Sequence, residues 1–186
     1  MVRSLMAFEL EKALEIEKYR INKLGEKEMH KLWEIYLSET HRFGKIGTRS
    51  WQGLFRVSSN TRNFVITGYQ NEWREPGSKF RLPFIPDNRL VAILPMTRNL
   101  GWFWIDGLKG HQIDFPRGKS QKVEAPDGFL RKLRSEDEIF VEVRNDKLYI
   151  EWPAAKGLLA REKQGQALAD FCVEIMKTFS DTFVIG

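Results

Sequence analysis

The chain has 186 residues, 42% of them hydrophobic and 30% charged, with a formal net charge of +5. Those values fit one globular domain with a sizeable core and exclude a disordered chain. No apolar run reaches the roughly 20 residues that a membrane helix needs, and the single cysteine, Cys172, rules out an internal disulfide or a cysteine-built zinc site. The start, MVRSLMAFELEKAL, carries acidic residues where a signal peptide has an unbroken apolar stretch. The reading is a cytoplasmic protein.

The pattern opens helical. Ser4 can cap a helix over residues 4–23, with Leu10, Leu14, Ile21 and Leu24 on one stripe and Gly25 as the stop. A second helix, over 26–38, places Met29, Leu32, Trp33, Tyr36 and Leu37 on a single apolar face. From 53 to 152 the pattern changes to short strands between Gly, Pro, Asn and Asp clusters: GLFRVS, NFVITG, SKFRLPF, RLVAILPM, GWFWI, QIDF, KVEA, EIFVEV and KLYIEW. A last helix, over 155–179, has Leu168, Phe171, Cys172, Ile175 and Phe179 on one face. So many short, closely spaced strands imply an α+β fold: a small closed or nearly closed mixed β-barrel, with two N-terminal helices and one C-terminal helix packed on it. The apolar end TFSDTFVIG reads as the start of a linker to a further domain beyond residue 186.

Two stretches are specific enough to argue in detail. In EIFVEVRNDKLYIEW, Asn145-Asp146 is a two-residue hairpin turn. Around it Val143 faces Leu148, Val141 faces Ile150 and Ile139 faces Trp152, while Glu142, Arg144, Lys147 and Glu151 fall on the other, solvent face. In LGWFWIDG, Trp102 and Trp104 share one face of a strand and Phe103 takes the other. Either both faces are covered or one of them binds something. The expectation is that one tryptophan lies under a helix and the other rims a pocket.

Charge is unevenly placed. Residues 51–125 carry eleven Lys/Arg against six Asp/Glu, and four of the six tryptophans. Cations reach phosphates, arginine forks match phosphate and base edges, and flat rings accept bases. The candidate phosphate contacts are Arg49, Arg56, Arg62, Arg74, Arg98, Lys109, Arg117, Lys119 and Lys122; the candidate stacking rings are Trp51, Trp73, Trp102 and Trp104. The plain alternative is a solvated basic face, with about half of the tryptophans buried as core.

Enzyme readings find little support. His30, His41 and His111 are scattered and none has metal-ligand spacing. Nucleotide-binding glycine loops and the serine-hydrolase elbow are absent from the sequence. Asp137, Glu138 and Glu142 are the nearest approach to a magnesium-dependent nuclease, a third option that needs convergent carboxylates. No catalytic residue, metal or cofactor is assigned.

Residues 122–152, KVEAPDGFLRKLRSEDEIFVEVRNDKLYIEW, run as a strand ending near Pro126, a helical turn with Phe129, Leu130 and Leu133, an acidic turn at Glu136-Asp137, and a hairpin. The segment resembles AbrB-like and B3-like DNA-binding pseudobarrels, although Ser135-Glu136-Asp137 lacks their glycine. That resemblance implies a barrel gripping DNA through loops and one sheet face, and transfers no individual contact residue. The architecture is also similar to the N-terminal reading modules, B3-like or PUA-, EVE- and YTH-like, of McrB-type modification-dependent restriction systems. This implies the specificity domain of a defence system, recognising a modified or flipped base in an aromatic pocket. The alternative from another class is an adaptor that docks a protein or peptide on the same aromatic surface.

Overall fold

The computed structural model describes residues 12, 19–39, 48–59, 62–72, 87–135, 139–153 and 158–184. In chain order these form β1 (Arg20–Lys23), α1 (Glu26–Glu39), β2 (Thr48–Ser59), β3 (Arg62–Glu72), β4 (Asp87–Pro95), β5 (Trp102–Asp106), β6 (Ile113–Asp114), α2 (Phe129–Leu133), β7 (Phe140–Arg144), β8 (Lys147–Pro153) and α3 (Leu158–Thr178). One sheet takes all eight strands, in the order β1-β2-β3-β4-β8-β7-β5-β6. Each neighbouring pair is antiparallel.

Three expectations change. The sheet is antiparallel rather than mixed, and among the described residues β1 and β6 are its two ends, with no hydrogen-bonded closure into a barrel. Residues 20–23, read as the end of a first helix, pair as a strand with β2, Ile21 opposite Val57. Of the rest of that stretch only Lys12, which is helical, and Tyr19 are described; SKFRLPF, Glu136, Asp137 and Glu138 lie outside the described residues. KVEA forms no strand either; 115–128 is an irregular connection containing two turns. Helix α1 and the hairpin fall where the periodicity places them.

The core is built from cross-strand rows. Ile66, Ala92, Ile150, Val141 and Ile105 are successive register partners across β3, β4, β8, β7 and β5, and Leu94, Leu148, Val143 and Phe103 form the next row. All are buried, and α3 closes over this face with Leu168, Cys172, Ile175 and Met176. Alternation in each strand puts the apolar set on one face, and antiparallel register aligns those sets so that one amphipathic helix can cover them. Trp152 stacks against Phe171 at 5.8 Å. After α3 the chain returns to the end of β4: Met96 bridges Phe183, and the Thr97 amide donates to the Thr182 carbonyl at 2.9 Å.

The other face of the central strands is not the solvent face that alternation suggested. Glu142 is fully buried, Glu151 is 2% exposed, and Val91, Phe140, Tyr149 and Trp104 beside them are buried too. Carboxylates tolerate this only when their charge is met. Glu151 lies 3.4 Å from the Arg89 guanidinium, and Glu142 accepts a hydrogen bond from the Trp102 indole at 2.9 Å. A period of two is the same for a strand wet on one face and for one whose second face is polar, aromatic and covered.

Candidate nucleic-acid interface

Trp102 opens β5 and lies opposite Arg144, the last residue of β7. That register places the guanidinium carbon of Arg144 4.2 Å from the centre of the Trp102 ring, a cation–π stack. The indole N–H points to Glu142 Oε1. Trp104, two residues on, sits 6.5 Å away at a 60° tilt. Phe103 points into the core between them. Trp102 is half-buried, whereas Trp104 is only 8% exposed. Of the two rings, Trp102 therefore keeps surface for a partner and Trp104 is covered.

Three loops meet at this end of the sheet. Gly101, at φ 84°, receives a hydrogen bond on its carbonyl from the Asn145 amide at 2.9 Å, and its own amide donates to the Asn99 side chain at 2.8 Å. Gln121 donates from Nε2 to the Leu100 carbonyl at 3.3 Å and lies directly over the bare Gly101 Cα. At that φ an L-residue is strained, which is why glycine suits this position; an added Cβ would also displace the end of the Gln121 side chain.

That connection carries cations. Pro116 to Lys119 form a turn closed by a 2.9 Å hydrogen bond from the Lys119 amide to the Pro116 carbonyl, with Gly118 at φ 75° in the third position. The turn presents Arg117 and Lys119 to solvent, and Lys122 follows Gln121; all three are exposed. Among the described residues none of the three has an ion-pair partner. With no more than about 3.6 Å of reach per residue, the Lys119 Cα lies within roughly 7 Å of the Gln121 Cα and that of Arg117 within roughly 14 Å.

The remaining candidates divide. Arg98, three residues before Gly101, is exposed at the same end and lies 3.6 Å from Asp181. Lys109 follows the far end of β5 and pairs with Asp106 at 3.8 Å, so it does not join the group. Arg56 lies on β2, separated from β5 by four strands, and is engaged by Glu28 on α1 at 2.6 Å. Arg49, Trp51 and Arg62 sit on β2 and β3 with only their backbone described, and Trp73 and Arg74 lie outside the described residues. Arg98 and Trp102 thus flank Gly101 in the chain, and Gln121 anchors to the same residues the connection that carries Lys122, Lys119 and Arg117. To these candidates the structure adds Arg144, Gln121 and Gly101, which the sequence reading assigned to no site, and Glu142, which it weighed only as a nuclease carboxylate. No protein-family model, curated protein or solved structure matches this chain.

Other chemistries find less to work with. Among the described residues no three or more His, Cys, Asp or Glu side chains are grouped to hold a metal ion, and no helix is long and apolar enough to cross a membrane. Val184 is the one exposed large apolar side chain among the residues whose burial is described. A surface depression of about 300 Å³ between α2 and α3, near Gly128, Ser135 and Thr178, lies on the α3 side of the molecule. The 2.7 Å Lys132–Glu174 pair lines it.

Proposed function

We propose that the chain is a nucleic-acid-binding module, with Trp102 as a stacking ring and Arg117, Lys119 and Lys122 as phosphate contacts. The observation that carries the reading is the latch at Gly101 and Gln121. It ties a connection that carries three exposed cations to the residues preceding a half-buried ring, which Arg144 and Glu142 already contact. A ring fixed in advance loses little freedom on binding, and exposed cations release the counterions of a phosphate backbone.

The test is binding of a fluorescent oligonucleotide over a salt series. Affinity is expected to fall steeply as salt rises, and to weaken in Lys119→Ala and Lys122→Ala. Absence of detectable binding at low salt, or affinity indifferent to salt, overturns the reading.

A further inference from the structure

We propose that the ligand is single-stranded nucleic acid, with one unpaired base lying on the Trp102 ring and its phosphates running along the Lys122-to-Arg117 segment. This rests on the nucleic-acid reading above and specifies its substrate class.

Trp102 has one kind of surface left to offer a ligand. Its only polar atom, the indole N–H, is committed to a carboxylate that is fully buried. The ring therefore has no hydrogen bond left for a base edge, and what it can present is the π surface that the Arg144 guanidinium, 4.2 Å from its centre, leaves uncovered. Inside a duplex the faces of each base are covered by its neighbours, and only the edges are open in the grooves. A ring that offers its face alone thus matches a base whose own face is bare.

The surroundings agree. Reading a duplex calls for a helix or a two-stranded ribbon projecting into the major groove. Trp102 instead sits on β5, flanked by β7 on one side, and the element beside it is an irregular connection. The helix that follows, α2, has five residues and buries Phe129 and Leu133. A flexible single strand can bend so that its base reaches the ring while its backbone follows the cations. A regular duplex cannot bring a base face there without extruding the base.

The experiment compares four labelled probes at one low salt concentration: a short pyrimidine DNA strand, its RNA counterpart, the duplex of the same DNA, and a DNA strand with abasic sites in place of its central bases. Parent, Trp102→Ala and Trp102→Phe proteins are tested, each checked for an unchanged unfolding midpoint. The intact single strands are expected to bind at least tenfold more tightly than the duplex. Trp102→Ala should lose about ten- to a hundredfold on intact strands and almost nothing on the abasic strand, with Trp102→Phe between. Equal or tighter duplex binding, or an abasic strand that binds the parent as well as an intact one, overturns the single-strand inference while leaving salt-dependent nucleic-acid binding standing. If Trp102→Ala lowers the unfolding midpoint, the abasic comparison on the parent decides alone. Binding to none of the four probes overturns both.

Discussion

Gly101 joins the strand carrying Trp102 to the loop carrying the cations, and its backbone conformation is one that L-residues avoid. At φ 84° an added Cβ costs about 1–2 kcal/mol, and here it would also displace the Gln121 side chain from the Leu100 carbonyl. Gly101→Ala is therefore expected to lower stability by about 1–2 kcal/mol in urea unfolding, and Gln121→Ala by under about 1 kcal/mol. A Gly101→Ala protein as stable as the parent would show that the latch is unstrained. Asn145 illustrates what can be read one residue at a time. Its place in a tight turn is plain from the sequence, and it takes φ 57° as the turn demands. Gly101 was not legible in that way, because the backbone partner that its carbonyl meets in this conformation, the Asn145 amide, lies on the β7–β8 turn, far along the chain.

Helix α2 is held by its aromatic side chain more than by its charge. Phe129 is fully buried, edge-on to Phe179 at 5.3 Å and 6.2 Å from Phe183. Lys132 bridges to Glu174 at 2.7 Å across a surface where the glutamate is 58% exposed. Phe129→Ala should cost about 3–5 kcal/mol in chemical denaturation, and Lys132→Ala no more than about 1 kcal/mol. The reverse order would mean that ion pairing fixes this helix. The segment entering β1 is tied to α3 in another way, through the Tyr19 hydroxyl, which donates to Asp170 at 2.6 Å. Burial, and then that hydrogen bond, push the Tyr19 pKa well above its ordinary value of 10.0. The folded chain thus keeps the phenol protonated where the unfolded chain begins to ionise. The stabilisation is complete below about pH 10 and is lost as pH rises further. Parent minus Tyr19→Phe stability should be constant from neutral pH to about pH 9 and fall above pH 10. A difference that stays flat into the alkaline range would contradict it. Elements were legible where period and turn chemistry agreed, as in α1 and the Asn145 hairpin. They were not where a short apolar run fits two periods, as at Ile21, or where a strand-like stretch, as at 122–125, finds no pairing partner among the described residues.

At the scale of the molecule, the charge placement marked one broad stretch of chain, whose members the sheet separates. The basic excess between residues 51 and 125 contains the Arg117–Lys122 cluster, but it also contains Arg56 and Lys109. Sequence cannot separate these, because sheet order decides which cations share a side. Four strands stand between β2 and β5, while β7, nearly forty residues along the chain, is its direct neighbour and supplies Arg144. For the same reason Glu142 looked like an ordinary surface residue, although the β5–β7 register places it under the Trp102 indole. Salt dependence tests this partition directly. On a single strand each phosphate contact contributes about 0.7 to the slope of log affinity against log salt. Replacing Arg117, Lys119 and Lys122 together by alanine should therefore reduce the magnitude of that slope by about 2. The pair Arg56→Ala and Lys109→Ala should leave it unchanged, since those cations sit elsewhere and already face Glu28 and Asp106. If the pair flattens the slope as much as the triple, phosphates are being met all round the sheet, and the end of β5 has no special claim to them.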